Sequence, residues 1–182
     1  MKTISRFLGI FIVTMLIGTL AYGQKCKYDI DKKDPFTGQT TKSIQVRHHN
    51  AFNVFEYWEL NFNKVDNDYN ITLTIIVMDF KPVVKGDPVM ISIVNPKTSS
   101  DGIMTLYAEN DVVPTRHLVG SSAAASEVGQ YITKYPVTKE ELELLANGTP
   151  GVIRITLTTT YDREISSDEA KKIQKAINCL LQ

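Results

Sequence analysis

Two stretches of alternating side chains dominate the middle of the chain and restrict what it can become. Across residues 52–62, Phe52, Val54, Trp58, Leu60 and Phe62 hold the even positions, with Glu56 as the exception, and Asn53, Glu59 and Asn61 hold odd ones. After the turn-like run Lys64, Val65, Asp66, Asn67, Asp68, the pattern resumes with Tyr69, Ile71, Leu73, Ile75 and Val77 opposed by Asn70, Thr72 and Thr74. Successive side chains of a strand point to opposite faces, so a period of two predicts two strands, each with one buried face, joined as a hairpin. Phe55 and Tyr57 break the alternation and predict partial cover on the second face.

Further strands are expected over residues 25–31, 40–49, 88–94, 103–109, 112–119, 130–137 and 152–161, each bounded by Gly, Pro, Asn or Asp. That makes about nine strands in all. Asp34, Pro35, Phe36, Thr37 and Gly38 read as the turn between the first two. Pro114 cannot donate to a ladder, which makes its strand an edge or a bulge. The small-residue run from Gly120 to Ser126 is left open between a loop and a short helix.

Near the C-terminus the period changes. Thr138 followed by Glu141 is a capping box, Leu142 and Leu145 share a face, and Asn147–Gly148 stops the helix after about two turns. Ser166 and Glu169 repeat the start signal, and Ala170, Ile173, Ala176, Ile177 and Leu180 form one apolar stripe, with Lys171, Lys172 and Lys175 on the solvated side. A helix with one apolar stripe must cover something, and the sheet is the large apolar surface on offer. The expected class is therefore α+β, mainly β: an antiparallel sheet or sandwich with a short helix and a C-terminal helix packed on the sheet.

The chain begins with Lys2 and Arg6, then an apolar stretch over residues 7–20 interrupted only by Thr14 and Thr19. That stretch falls short of the ~20 residues a membrane-spanning helix needs. Together with the small residues Ala21 and Gly23 it reads as a secretory signal over residues 1–23, leaving one domain over 24–182 that starts at Gln24. The expected destination is the periplasm or the extracellular space, in soluble form. An exported chain with an even number of thiols predicts a disulfide, and with two thiols that pairing is Cys26 with Cys179.

Equal numbers of basic and acidic residues, 20 each, argue against a nucleic-acid binder, which needs an excess of Lys and Arg. No cofactor or metal motif is found. Adjacent strand residues point to opposite faces, so His48 and His49 read as surface residues at a strand end rather than as one site. Ser121, Ser122 and Ser126 lack the Gly-x-Ser-x-Gly context of a strained nucleophile. Asp29, Asp31 and Asp34 lack the glycine and closing Glu of a calcium loop and read, like Asp66 and Asp68, as turn chemistry. Phe55, Tyr57, Trp58, Tyr131 and Tyr135 read as core and sheet packing, with an aromatic binding strip as the alternative. No catalytic residue is assigned.

The end of the signal at Ala21 to Gln24, the opening Lys25 to Tyr28 with Asp34 to Gly38, and the close from Tyr135 to Thr138 and from Ile173 to Leu180 resemble small exported proteins of unknown function from Bacteroidetes-type bacteria. The resemblance implies a bacterial envelope location and carries no activity with it. The expected role is a non-enzymatic binding or interaction module with a protein partner. The alternatives are a carrier of a small apolar, lipid-like ligand and a hydrolase built around His117 or the Ser121 to Ser126 run.

Overall fold

A computed structural model describes residues 26–50, 53–95, 100–120 and 125–182. The expected signal over residues 1–23, together with Lys25, Phe52, Ser121 and Ser122, lies outside them. The class is α+β and mainly β, with ten strands in two antiparallel sheets among the described residues. The strands are β1 (Ile30–Lys33), β2 (Thr40–His48), β3 (Trp58–Val65), β4 (Asp68–Val77), β5 (Pro88–Asn95), β6 (Ser100–Tyr107), β7 (Thr115–Val119), β8 (Ser126–Val137), β9 (Thr149–Thr156) and β10 (Thr160–Glu164). Two helices, α1 (Lys139–Asn147) and α2 (Ser167–Leu180), follow β8 and β10.

The larger sheet runs β1-β2-β3-β4-β8-β7 and the smaller β10-β9-β5-β6. In the larger sheet, Trp58, Leu60 and Phe62 of β3 stand opposite Ile75, Leu73 and Ile71 of β4, and Tyr135 and Tyr131 of β8 face Ile71 and Ile75 in turn. These side chains are buried, as are Val89, Ile91 and Ile93 of β5 and Ile153 and Ile155 of β9. Both sheets and both helices contribute to one continuous core.

The helix starts form as their sequences predict. Thr138 Oγ1 accepts from the Glu141 backbone N–H and Glu141 reaches back to Thr138, and Ser166 and Glu169 repeat the reciprocal pair. All five stripe residues of α2 are buried, where the helix packs on β2, β3 and β9. Cys179 lies beside the stripe and is bonded to Cys26 across 153 residues, with their Cα atoms 5.5 Å apart. The Tyr28 hydroxyl donates to the Cys179 carbonyl at 2.8 Å, fixing the first described residues against the end of α2. Among the described residues no helix is long and apolar enough to cross a membrane.

Three expectations are corrected. The strand expected over 152–161 is a hairpin: β9 and β10 pair Thr156 with Thr160, and Leu157 N–H bonds to Thr159 O in the turn. A run of Thr residues with strand propensity hides that turn from a propensity reading. The strand expected from residue 52 begins at Trp58, because Asn53 accepts from the Phe55 N–H and caps a single 3-10 turn, Val54–Glu56. The strand expected over 112–119 begins after Pro114 as the edge strand β7, while Val112 forms an isolated bridge with Val83. The first turn forms as expected: Asp34 Oδ1 accepts from the N–H groups of Phe36 and Thr37, and Gly38 takes a positive φ of 75°.

Candidate functional site

The three histidines separate. His48 ends β2 and is half-buried; its ring stacks near that of Trp58, with centroids 6.1 Å apart and planes 16° from parallel. His49 follows the end of β2 and meets Tyr57 edge-on at 6.4 Å rather than joining His48. His117 is exposed on β7, and its Nε2 lies 3.0 Å from Gln130 Oε1, so the ring partner is an amide and not a carboxylate or hydroxyl. Ser126 opens β8 opposite Val119, and the His117 ring bonds to Gln130 instead.

His48 Nδ1 lies 2.8 Å from Oε1 of Glu169 in the first turn of α2. The other carboxylate oxygen accepts from both the backbone N–H and the hydroxyl of Ser166, each at 2.8 Å. Burial alone would raise the Glu169 pKa, but the Ser166 donors and then His48 outweigh it and hold the carboxyl below its ordinary value. An ionised carboxylate only accepts, so the contact places a proton on Nδ1 and leaves Nε2 available to the cleft that His48 lines.

That cleft, about 430 Å³ in volume, is also lined by Glu56, Asp162, Arg163 and Glu164. Side-chain amides of Asn50 and Asn53 donate to Glu56 and hold its carboxyl low. Arg163 spans to the Ile76 carbonyl at 3.1 Å, and Trp58 Nε1 donates to the Glu164 carbonyl at 3.1 Å, so this end of β10 is tied to the larger sheet. A carboxylate-oriented imidazole is two parts of a nucleophilic triad. The third is missing among these lining residues, which include no Ser, Thr or Cys, and the Ser166 hydroxyl is bound to the carboxylate rather than to the imidazole.

The second feature is the outer face of the smaller sheet. Rows across it read Ile103, Ser92; Thr105, Met90, Arg154, Asp162; and Tyr107, Pro88. Ile103 is 70% exposed and Tyr107 59%. Met90, Ser92, Ile103, Val152, Arg154 and Asp162 line a shallow depression of about 210 Å³. Arg154 grips Asp162 with two bonds of 2.7 and 2.6 Å, which raises the guanidinium pKa and lowers the carboxyl. Asp162 lines both the depression and the His48 cleft, so an apolar centre adjoins a charged flank.

The outer face of the larger sheet has a different character. There Asn61 donates to Glu59 at 2.8 Å and Asn63 to Asn70 at 3.0 Å, and the Tyr57 hydroxyl donates to Glu59 at 2.7 Å. Burial and then the bond to Glu59 push the Tyr57 pKa up to about 12. Ile132, 56% exposed, and Ile30 at the β1 edge, 40% exposed, are the large apolar exceptions on that face among the described residues.

The aromatic residues singled out in the sequence divide. Trp58, Tyr131 and Tyr135 are core, Tyr57 is half-buried, and Phe55 sits in the 3-10 turn. The acids Asp34 and Asp66 serve turns, and Asp29 accepts from the Gln45 N–H. The apolar outer face had one sequence signal: residues 88–94 are apolar at Met90 and Val94 as well as at Val89, Ile91 and Ile93, a run too continuous for a strand with one wet face. No protein-family model, no curated protein and no solved structure matches the chain.

Proposed function

We propose that this is an exported, non-enzymatic binding module that takes a protein partner on the outer face of its smaller sheet. The observation that carries the reading is the contrast between its two outer faces. One is polar at its centre, with side-chain hydrogen bonds among Glu59, Asn61, Asn63 and Asn70, and its exposed apolar residues Ile30 and Ile132 lie apart, on β1 and β8. The other leaves Ile103 and Tyr107 exposed beside Met90 and Val152, with the Arg154–Asp162 pair at the margin. An apolar centre with a polar rim is the composition of an interface core, and an antiparallel sheet with a free face otherwise turns polar residues to water. Export is supported by the Lys2 and Arg6 start with its short apolar stretch and by the Cys26–Cys179 bond, which needs an oxidising compartment to persist.

The test is to replace Ile103, and separately Asn61, with a photo-reactive benzoylphenylalanine in the full chain and irradiate the cells that make it. A discrete heavier adduct from position 103, absent from position 61, is expected in the exported fraction. Equal adducts from both positions, or none from position 103, would refute the reading.

A further inference from the structure

The stripe of α2 is fully buried, so the space between sheet and helix is filled with side chains. What remains open there is a groove along the helix surface, about 560 Å³ in volume, between α2, β2 and the segment that follows Cys26. The half-buried Ile44 forms most of its apolar floor, with the buried Val46 and Ala176 at its base, and Lys27, Lys172 and Lys175 stand around it. Lys172 and Lys175 are three apart on one helix and therefore neighbours on its surface. Lys27 arrives from the other end of the chain. It is held there by the Cys26–Cys179 bond on one side and the Tyr28 hydroxyl on the Cys179 carbonyl on the other.

Among the described residues none of these three lysines makes an ion pair, and their neighbour on the helix, Lys171, pairs with Asp168 outside the groove. Asp29 also lines the groove, and its Oδ2 already accepts from the Gln45 N–H at 2.7 Å. Three ammonium groups thus face one carboxylate in a chain whose formal charges balance as a whole. Like charges gathered around a partly apolar depression favour an anion that also brings hydrocarbon.

We propose that this groove binds an anionic amphiphile of the monoacyl-phosphate class, the phosphate held by Lys27, Lys172 and Lys175 and the first methylenes lying on Ile44. A bare phosphate leaves the floor wet. A neutral chain leaves the ammonium groups unmatched. Each methylene taken out of water contributes about 0.8 kcal/mol, so both halves of the ligand count. The site is separate from the outer face of the smaller sheet and stands or falls independently of the protein-binding reading.

The experiment is an amide chemical-shift titration of the disulfide-bonded protein at low salt. The probes are lysophosphatidic acid below its micelle concentration, inorganic phosphate, and monomeric lysophosphatidylcholine. Saturable shifts centred on Lys27, Ile44, Lys172 and Lys175 are expected with lysophosphatidic acid, at least tenfold tighter than with either other probe. The triple variant Lys27→Gln, Lys172→Gln, Lys175→Gln alters only exposed side chains and should keep its melting temperature within a few degrees while losing tenfold or more in affinity. Equal affinity for inorganic phosphate, equal affinity in the triple variant, or shifts centred elsewhere would overturn the proposal.

Discussion

His48 and Glu169, 121 positions apart, meet at 2.8 Å and tie the end of β2 to the first turn of α2. Glu169 uses one carboxylate oxygen for the helix cap and the other for the imidazole. Glu169→Ala removes the acceptor for both and should cost on the order of 2 kcal/mol in chemical denaturation, since bonds to a charged group are the stronger kind. Its acid behaviour has a definite sign. The folded carboxyl titrates below its ordinary value of 4.5, so the stabilisation is whole above that value and is lost as pH falls through the folded pKa. Glu169→Gln should therefore show a flatter loss of stability below pH 4.5 than the wild type; parallel curves would remove Glu169 from the acid response.

Reduction of the Cys26–Cys179 bond opens a loop of 153 residues, for which the chain-entropy model gives about 5 kcal/mol as an upper figure. The paired variant Cys26→Ser, Cys179→Ser should lose about 2–5 kcal/mol in equilibrium denaturation. Hydrogen exchange should rise first at Tyr28 and the last turn of α2, where Tyr28 meets Cys179 and Lys64 Nζ meets the Leu180 carbonyl at 3.2 Å.

Gly129 of β8 sits where a Cβ would strike the Asp79 carbonyl oxygen and crowd the Tyr131 ring at 3.1 Å. The first of these is backbone and cannot rotate away. Gly129→Ala should destabilise by about 1–3 kcal/mol, as overpacked sites do. A melting temperature equal to the wild type would show that the loop after β4 gives way freely.

Asp79 is buried and binds the turn between β9 and β10. It accepts from the Thr158 N–H at 2.9 Å, the Thr158 hydroxyl at 3.0 Å and the Tyr161 hydroxyl at 3.3 Å, and from Lys81 N–H on its own loop. Burial would raise its pKa, yet the Lys81 and Thr158 donors prevail and lower it. Asp79→Ala strands those donors and should cost about 1–3 kcal/mol. Asp79→Asn keeps the shape and should recover part of it; an unchanged unfolding midpoint in both variants would contradict the linking role.

What the chain discloses before folding is local. The alternation through Trp58, Leu60 and Phe62 and through Ile71, Leu73 and Ile75 places the hairpin β3–β4, and Thr138 with Glu141 and Ser166 with Glu169 mark where both helices start. Pro114 marks an edge because a missing N–H is visible in the residue itself. Pairings made by the fold are not written locally. Nothing near His48 announces Glu169, since that pair is assembled by α2 returning to β2, whereas the Cys26–Cys179 pairing brings Lys27 to α2 without saying which of its lysines it meets. The second hairpin was hidden for another reason: Thr156, Thr158, Thr159 and Thr160 carry strand propensity straight through a turn. The outer apolar face was half visible, in Met90 and Val94, but choosing between burial by a neighbour and exposure to a partner takes the sheet order.

The sulfur bond also makes the described body a covalent ring. A pull applied before Cys26 and after Cys179 passes through the bridge, so the tension bypasses the strands and helices between. Held by its two tails, the oxidised protein should lengthen in a force-extension trace by no more than the residues outside the ring. The same molecule after reduction should unravel through both sheets.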